Sequence, residues 1–383
     1  MKIINGDSLK VLKSMESDSL EALVTDPPYG LSKMTTENIQ ECLTNWLSGE
    51  KYTHKEKGFM NKAWDSFVPS PELWREVFRV LKPGAHGLVF AGSRTQDLMS
   101  ISLRLAGFEV RDTLMWVYGS GFPKSHNVSL SIQKKDSENT SWNGWGTALK
   151  PAYEPIILVR KPPVGSIAQN TLEYGCGGIN VDATRIQYGE DENINFDAIH
   201  RQQADPRDKG WSGHVAQVGS EIKMFKEGGR FPANVMIDEH IDQEEMKRYF
   251  YCAKASKKER EAGLKVFDAQ IVNDGRKKEI DNPFQRGLTK RHNTHPTVKP
   301  LDLMRYLVKL ITPPNGTALD PFCGSGSTLC ALALENMNGI GIELQEEYCE
   351  IAQARVKHWG GEAERVESPS KKLEELPLFK GLL

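Results

Sequence analysis

Short apolar runs alternate along the first 160 positions with stretches whose apolar residues recur at helical spacing. Residues 2–5 read as a short strand, 8–15 as a helix and 22–25 as a buried strand. A helix is expected over 71–81, with Ser70 as N-cap and Pro71 in the first helical position, where a missing N–H is harmless. Pro83 and Gly84 should stop it. Residues 87–90 form the next buried strand, 95–105 the next helix, and 109–118 and 155–160 two further strands. Such alternation predicts a doubly wound α/β sheet. Between the last two strands lies a long polar segment, 119–150, containing Trp142 and Trp145. A loop of that length is usually functional or disordered.

From about 161 to 290 the alternation dissolves into glycine, polar and basic residues, among them Lys254, Lys257, Lys258, Arg260, Arg276, Lys277 and Lys278. This stretch reads as a separate, irregular module. Order returns at 300–311, a helix with Leu301, Met304, Leu307, Val308 and Ile311 on one face, and strand, glycine turn, helix, strand and helix follow to about Trp359. The charged tail from Gly360 is docked, if at all, by Leu376, Leu378 and Phe379.

Lys and Arg total 49 against 51 Asp and Glu, a formal charge of −2. A partner with a phosphate backbone would therefore have to be met by local basic clusters, because the overall charge does not attract it. The six cysteines form no Cys-x-x-Cys pair, which disfavours a structural zinc site and suits a reducing cytoplasm. The first residues turn polar too soon for a signal peptide, and no apolar stretch approaches the ~18 residues needed to span a bilayer. No membrane partner and no metal are expected.

Two strings carry the chemistry. Thr25-Asp26-Pro27-Pro28-Tyr29-Gly30 follows the apolar run Ala22-Leu23-Val24, and Asp320-Pro321-Phe322-Cys323-Gly324-Ser325-Gly326-Ser327-Thr328 follows Thr317-Ala318-Leu319. Ligands of open α/β sheets sit beyond the carboxyl ends of the strands, so both strings should open onto one crevice. Gly324 and Gly326 allow a tight turn, and Ser325 or Ser327 could cap the helix beyond it. Glu343 ends the next strand about 20 positions after Gly324, the spacing at which an acidic residue binds ribose hydroxyls. A generic phosphate loop is the plainer alternative, but no Gly-Lys-Ser/Thr follows.

These strings, together with His295-Pro296-Thr297-Val298-Lys299-Pro300, resemble the motifs of DNA amino-methyltransferases of bacteria and phages. With the aromatic tetrapeptide first and the glycine turn later, the order resembles the circularly permuted β group acting on adenine N6 or cytosine N4. The resemblance implies a Rossmann-like doubly wound mixed sheet with an inserted target-recognition module. Residues 1–160 would form the catalytic half, 161–290 the recognition module, 291–359 the cofactor half and 360–383 a tail.

It further implies S-adenosylmethionine as cofactor. Asp320, Pro321, Phe322, Cys323, Gly324 and Gly326 would hold its methionine part, Glu343 its ribose and Asp7 its adenine, while His295, Thr297 and Lys299 close over the methionine end. Asp26 and the carbonyl of Pro27 would each accept an amino hydrogen of an extruded base, with Pro28 setting the turn and Tyr29 stacking on the ring. Double-stranded DNA is the implied partner, with Lys254, Lys257 and Lys258 as phosphate contacts, and a homodimer is left open. An initial Asp leans towards adenine over cytosine. An RNA or protein-glutamine methyltransferase, or an idle DNA-binding subunit, are the rival readings. With no nuclease motif in view, a solitary methyltransferase is the simpler expectation.

Overall fold

The computed structural model describes residues 1–56, 58, 63–119, 121, 125–137, 140–188, 225, 226, 229–237, 250–272 and 289–367. The strands are β1 (Lys2–Asn5), β2 (Leu20–Thr25), β3 (Leu81–Phe90), β4 (Glu109–Val117), β5 (Tyr153–Arg160), β6 (Phe225–Lys226), β7 (Gly229–Arg230), β8 (Val235–Ile237), β9 (Phe250–Tyr251), β10 (Gln270–Val272), β11 (Thr289–Arg291), β12 (Thr317–Asp320), β13 (Asn338–Glu343) and β14 (Glu364–Glu367). Ten of them form one sheet in the order β14-β1-β13-β12-β2-β3-β5-β4-β8-β9. Only β5 runs against its neighbours, β3 and β4; the other pairings are parallel.

Side chains of a strand point alternately to its two faces, and β2 shows the result. Ala22 and Val24 join the apolar layer built with the helices Leu301–Ile311, Ser327–Leu334 and Glu346–His358. Leu23 joins the opposite layer, with Val11, Cys42, Trp74 and Leu98 from the helices Ser8–Lys13, Thr36–Ser48, Pro71–Val80 and Gln96–Leu105. Helices thus cover both faces, the arrangement expected of a doubly wound sheet.

Several expectations are corrected. The helix from Pro71 ends at Val80, and β3 starts directly at Leu81, so Pro83 and Gly84 lie inside a strand, where Gly84 adopts φ +79. Neither Ser325 nor Ser327 caps the helix after the glycine turn; Gly326, at φ +75, is its N-cap. The segment 161–290 is not set apart along its whole length. β8 pairs with β4, β9 pairs with β8, and Asn170, fully buried, donates to the carbonyls of Pro83 and Cys176. The tail also contributes: β14 pairs with β1 along the edge of the sheet. Leu376, Leu378 and Phe379, like Arg276, Lys277 and Lys278, lie outside the described residues.

Among the described residues no helix is long and apolar enough to cross a membrane, and no cluster of three His, Cys, Asp or Glu could hold a metal.

Candidate active site

β2 and β12 lie side by side and parallel, with Ala22 opposite Ala318 and Leu23 opposite Leu319. Their carboxyl ends therefore emerge together, and the two strings found far apart in the sequence line one cleft of about 290 Å³. That volume sits at the small end of the ~300–1,000 Å³ usual for ligand pockets.

At the β2 end the tetrapeptide is held by its backbone. Asp65, buried, accepts from Tyr29 N at 2.8 Å and from Gly30 N at 3.1 Å. Thr95 Oγ1 donates to the Tyr29 carbonyl at 2.6 Å. Gly30 has φ +66, and a Cβ there would lie 2.8 Å from Val68 N, so only glycine fits. Lys299 Nζ donates to Asp26 Oδ2 at 2.6 Å and to the Tyr29 hydroxyl at 3.1 Å, and lies 3.3 Å from Glu154 Oε2. The Tyr29 hydroxyl donates to Glu154 at 2.9 Å. Asp26 Oδ1 is buried with no hydrogen-bond partner.

This cluster has a definite electrostatic character. Burial raises the Asp26 carboxyl above the ordinary carboxylate range, against the pull of Lys299. Burial would lower the Lys299 ammonium, but Asp26 and Glu154 together hold it above its usual value, hence charged. Tyr29 is raised well above an ordinary phenol, first by burial, and stays neutral. Lys299, expected at the cofactor end, lines the same cleft as the glycine turn and reaches Asp26 with its long stem.

At the β12 end both oxygens of Asp320 are engaged. Oδ1 accepts from Thr25 Oγ1 at 2.7 Å and Phe322 N at 3.1 Å, and Oδ2 accepts from Thr328 Oγ1 at 2.6 Å. Burial raises this carboxyl to about 6. Asp320 therefore organises the turn from within. Glu343 accepts from Gly324 N at 2.9 Å and from Gln345 N at 2.8 Å. Gly324 has φ +50, and a Cβ on it would meet His295 Nε2 at 2.6 Å. His295 Nδ1 lies 2.5 Å from the Thr297 carbonyl, which can only accept, so Nδ1 carries the proton; burial pushes the ring down to about 4 and keeps it neutral. Asp7 lines the same cleft and caps the helix Ser8–Lys13 through Lys10 N at 3.0 Å. The Cys323 thiol is buried and raised well above its ordinary value, leaving its backbone as the useful part.

The sequence pointed to most of these positions, but not to Asp65 or to the part played by Glu154. No local pattern marks Asp65, because its partners lie 36 and 35 positions away. Glu154 is the second residue of β5, and its position at a strand end was the available signal. Trp116 and Tyr118 are buried core residues; Trp116 donates to the Cys252 carbonyl at 3.0 Å, and Tyr118 lies against Glu154 of the cleft. Trp142 and Trp145 are exposed and pack edge to face, 5.1 Å apart.

Of the basic residues singled out, exposed Lys254 lies over the Tyr118 ring at 3.5 Å. Lys257 and Lys258 are exposed on the one-turn helix Lys257–Arg260. That helix is fastened to the segment carrying His295 and Lys299: Arg260 donates to the Pro296 carbonyl at 3.3 Å, and Glu259 accepts from Leu301 N at 2.7 Å.

The chain is similar in sequence to known DNA methyltransferases. The model of the N6/N4 DNA methylase family matches residues 20–354. The DNA adenine methyltransferase YhdJ of Escherichia coli is 32% identical over 355 residues, 92% of this chain and 82% of its own. The type II methyltransferase M.HindIII of Haemophilus influenzae is 26% identical over 377 residues, 92% of this chain and 94% of its own. The solved M1.HpyAVI–SAM complex is 16% identical, with 93% of this chain and 99% of that one covered, at a TM-score of 0.42, too loose a superposition to carry an argument.

Proposed function

This chain belongs to the N6/N4 DNA methylase family, whose members methylate DNA with S-adenosylmethionine, and we propose that it acts on adenine N6 within a specific duplex sequence. The observation that carries the reading is Asp26, a residue of the cleft shared with the glycine turn: Oδ2 is fixed by Lys299, while Oδ1 is buried and unpartnered. A buried carboxylate oxygen without a donor is costly unless a ligand supplies one.

An exocyclic amino nitrogen is a poor nucleophile because its lone pair is delocalised into the ring. Asp26 Oδ1 and the Pro27 carbonyl are the acceptors proposed for its two hydrogens, which localises the lone pair. Tyr29 supplies the stacking face, since a base must leave the duplex for its amino group to be reached. S-adenosylmethionine supplies the methyl group on a sulfonium. The proton released by the methylated nitrogen has the Asp26 carboxylate beside it. No covalent enzyme intermediate is called for, and positioning with electrostatics does the work.

The residues fit the cofactor. Gly324 keeps the wall beside His295 free of a side chain, and Asp7, His295, Thr297, Phe322, Cys323 and Glu343 surround the same space. We assign these to cofactor binding, with Pro321 and Gly326 shaping the turn and Asp320 bracing it. In the same reading residues 1–160 and 291–359, with β8 and β9 completing their sheet, make the catalytic and cofactor halves, and the rest of 161–290 reads the sequence. Lys254, Lys257 and Lys258 contact phosphate, and the enzyme works in the cytoplasm. A homodimer is compatible with it, and sedimentation decides that point.

The initial Asp of the tetrapeptide supports adenine. Mapping N6-methyladenine and N4-methylcytosine in plasmid DNA from cells expressing the chain tests the reading. N6-methyladenine at one recurring sequence is the expected result; N4-methylcytosine would move the target to cytosine, and an unmodified plasmid would overturn both.

A further inference from the structure

Four ionisable side chains from three segments meet at the catalytic end of the cleft: Asp26 and Tyr29 after β2, Glu154 in β5, and Lys299 ahead of the helix Leu301–Ile311. Lys299 is the least exposed of the three charged members, 9% against 20% for Asp26 and 22% for Glu154. Its ammonium also lies over the Phe90 ring, 4.7 Å from the centroid, and 5.3 Å from that of Tyr29, cation–π contacts that offset only part of its lost hydration. A lysine with so little water needs both carboxylates, and each carboxylate needs the lysine.

We propose that Lys299 and Glu154 are positioning residues: Lys299 holds one oxygen of the Asp26 carboxylate and leaves the other, Oδ1, for the substrate amino group, while Glu154 holds Lys299 and Tyr29 in place. The inference rests on Asp26 being the amino-group acceptor. Lys299 occupies Oδ2 at 2.6 Å, and by doing so fixes the rotation of the carboxylate. Glu154 holds the other side of the ammonium at 3.3 Å and takes the Tyr29 hydroxyl at 2.9 Å, so one residue orients both the charge and the stacking ring. With Tyr29 neutral and Asp26 ionised, as the proposal has it, the cluster carries two negative charges and one positive, a net excess of one negative charge. A positively charged donor entering the cleft is therefore matched.

The two supports act on Asp26 with opposite signs. The Lys299 charge favours the ionised carboxylate, while the Glu154 charge disfavours it. The other titratable groups nearby are Tyr118, which hydrogen-bonds Glu154 and which burial and the Glu154 charge keep neutral, Asp320 at the end of β12, which repels Asp26, and His295, whose ring burial keeps neutral. None of them changes sign between the variants below.

The test follows the Asp26 carboxyl by carbon NMR of the full chain labelled at aspartate, with Asp26→Asn identifying the signal. Lys299→Met should move its titration to higher pH and Glu154→Gln to lower pH, while Lys299→Arg stays near the wild type. In parallel, Lys299→Met should lower the maximal methyl-transfer rate about tenfold or more at neutral pH, with partial recovery as pH rises. Glu154→Gln should lower that rate with the affinity for S-adenosylmethionine kept. A fold defect would not displace the two titrations in opposite directions. Displacement in one common direction, or none, overturns the proposal. So does a Lys299→Met variant that loses cofactor affinity while Asp26 titrates as before. The titration needs no turnover, so it stands apart from the plasmid map that tests the target base.

Discussion

Thr25 donates a hydrogen bond to Asp320 at 2.7 Å across 295 positions of chain. It joins the last residue of β2 to the last residue of β12, and so couples the tetrapeptide to the glycine turn. Asp320→Ala leaves the Thr25 and Thr328 hydroxyls and the Phe322 N–H without an acceptor, at about 1–3 kcal/mol for each buried donor. Cofactor affinity should fall tenfold or more by calorimetry, through a loosened turn. Unchanged affinity would show that the turn stands without it.

Asp26→Ala removes the acceptor and leaves the cofactor wall intact. Single-turnover methyl transfer should fall by about 10² or more, with cofactor affinity within a few-fold. Near-normal transfer would sink the proposed mechanism.

Gly324→Ala forces a Cβ to 2.6 Å from His295 Nε2 and a side chain onto φ +50. The left-handed conformation alone costs roughly 1–2 kcal/mol. Both the melting temperature and the affinity for S-adenosylmethionine should drop. Gly360→Ala, with no heavy atom within 4 Å of the added carbon, separates the cost of φ from the cost of the clash.

His295 titrates near about 6.5 when unfolded but only at about 4 when folded. Its share of stability is full above about 6.5, falls as pH drops towards about 4, and is flat below. Asp320, raised to about 6, works the other way, because the folded state takes up its proton first on acidification. The loss of urea midpoint from pH 7.5 to pH 5 should therefore be smaller, or reversed in sign, in His295→Gln relative to the wild type, and larger in Asp320→Asn. Parallel profiles in all three would refute the assignment.

Replacing Lys254, Lys257 and Lys258 together by Gln should weaken duplex binding and flatten its dependence on salt, by about one counterion for each true phosphate contact. Cofactor affinity should stay. A triple variant with wild-type slope would make this a solvated face.

The sequence was most legible where periodicity and punctuation coincide. β1 spans Lys2–Asn5 as expected, Pro71 opens its helix, and Glu343 closes β13. The helix Thr36–Ser48 went unread although its signals were present: Thr35 and Asn38 form a capping box, and Gly49 ends it at φ +79. β14 could not be read, because Glu364-Arg365-Val366-Glu367 is charged and becomes a strand only beside β1. The same limit hid Asp65. Its importance is set by two backbone N–H groups that only the folded chain brings near. Lys299 was legible as a site residue but not as to which end it serves, since sequence proximity to the glycine turn says nothing about where a four-carbon stem reaches.

The placement of β2 between β3 and β12 bears on how this enzyme is made. While a ribosome is still translating the middle of the chain, β2 has β3 on one side and an open row of amides and carbonyls on the other. β1 is lonelier still, because both its partners, β13 and β14, come from the last stretch of the chain. Unpaired apolar edges of this kind recruit other chains. A protein cut short before β12 should therefore aggregate instead of surviving as a half-enzyme, and a separately supplied C-terminal piece should rescue it by filling the gap.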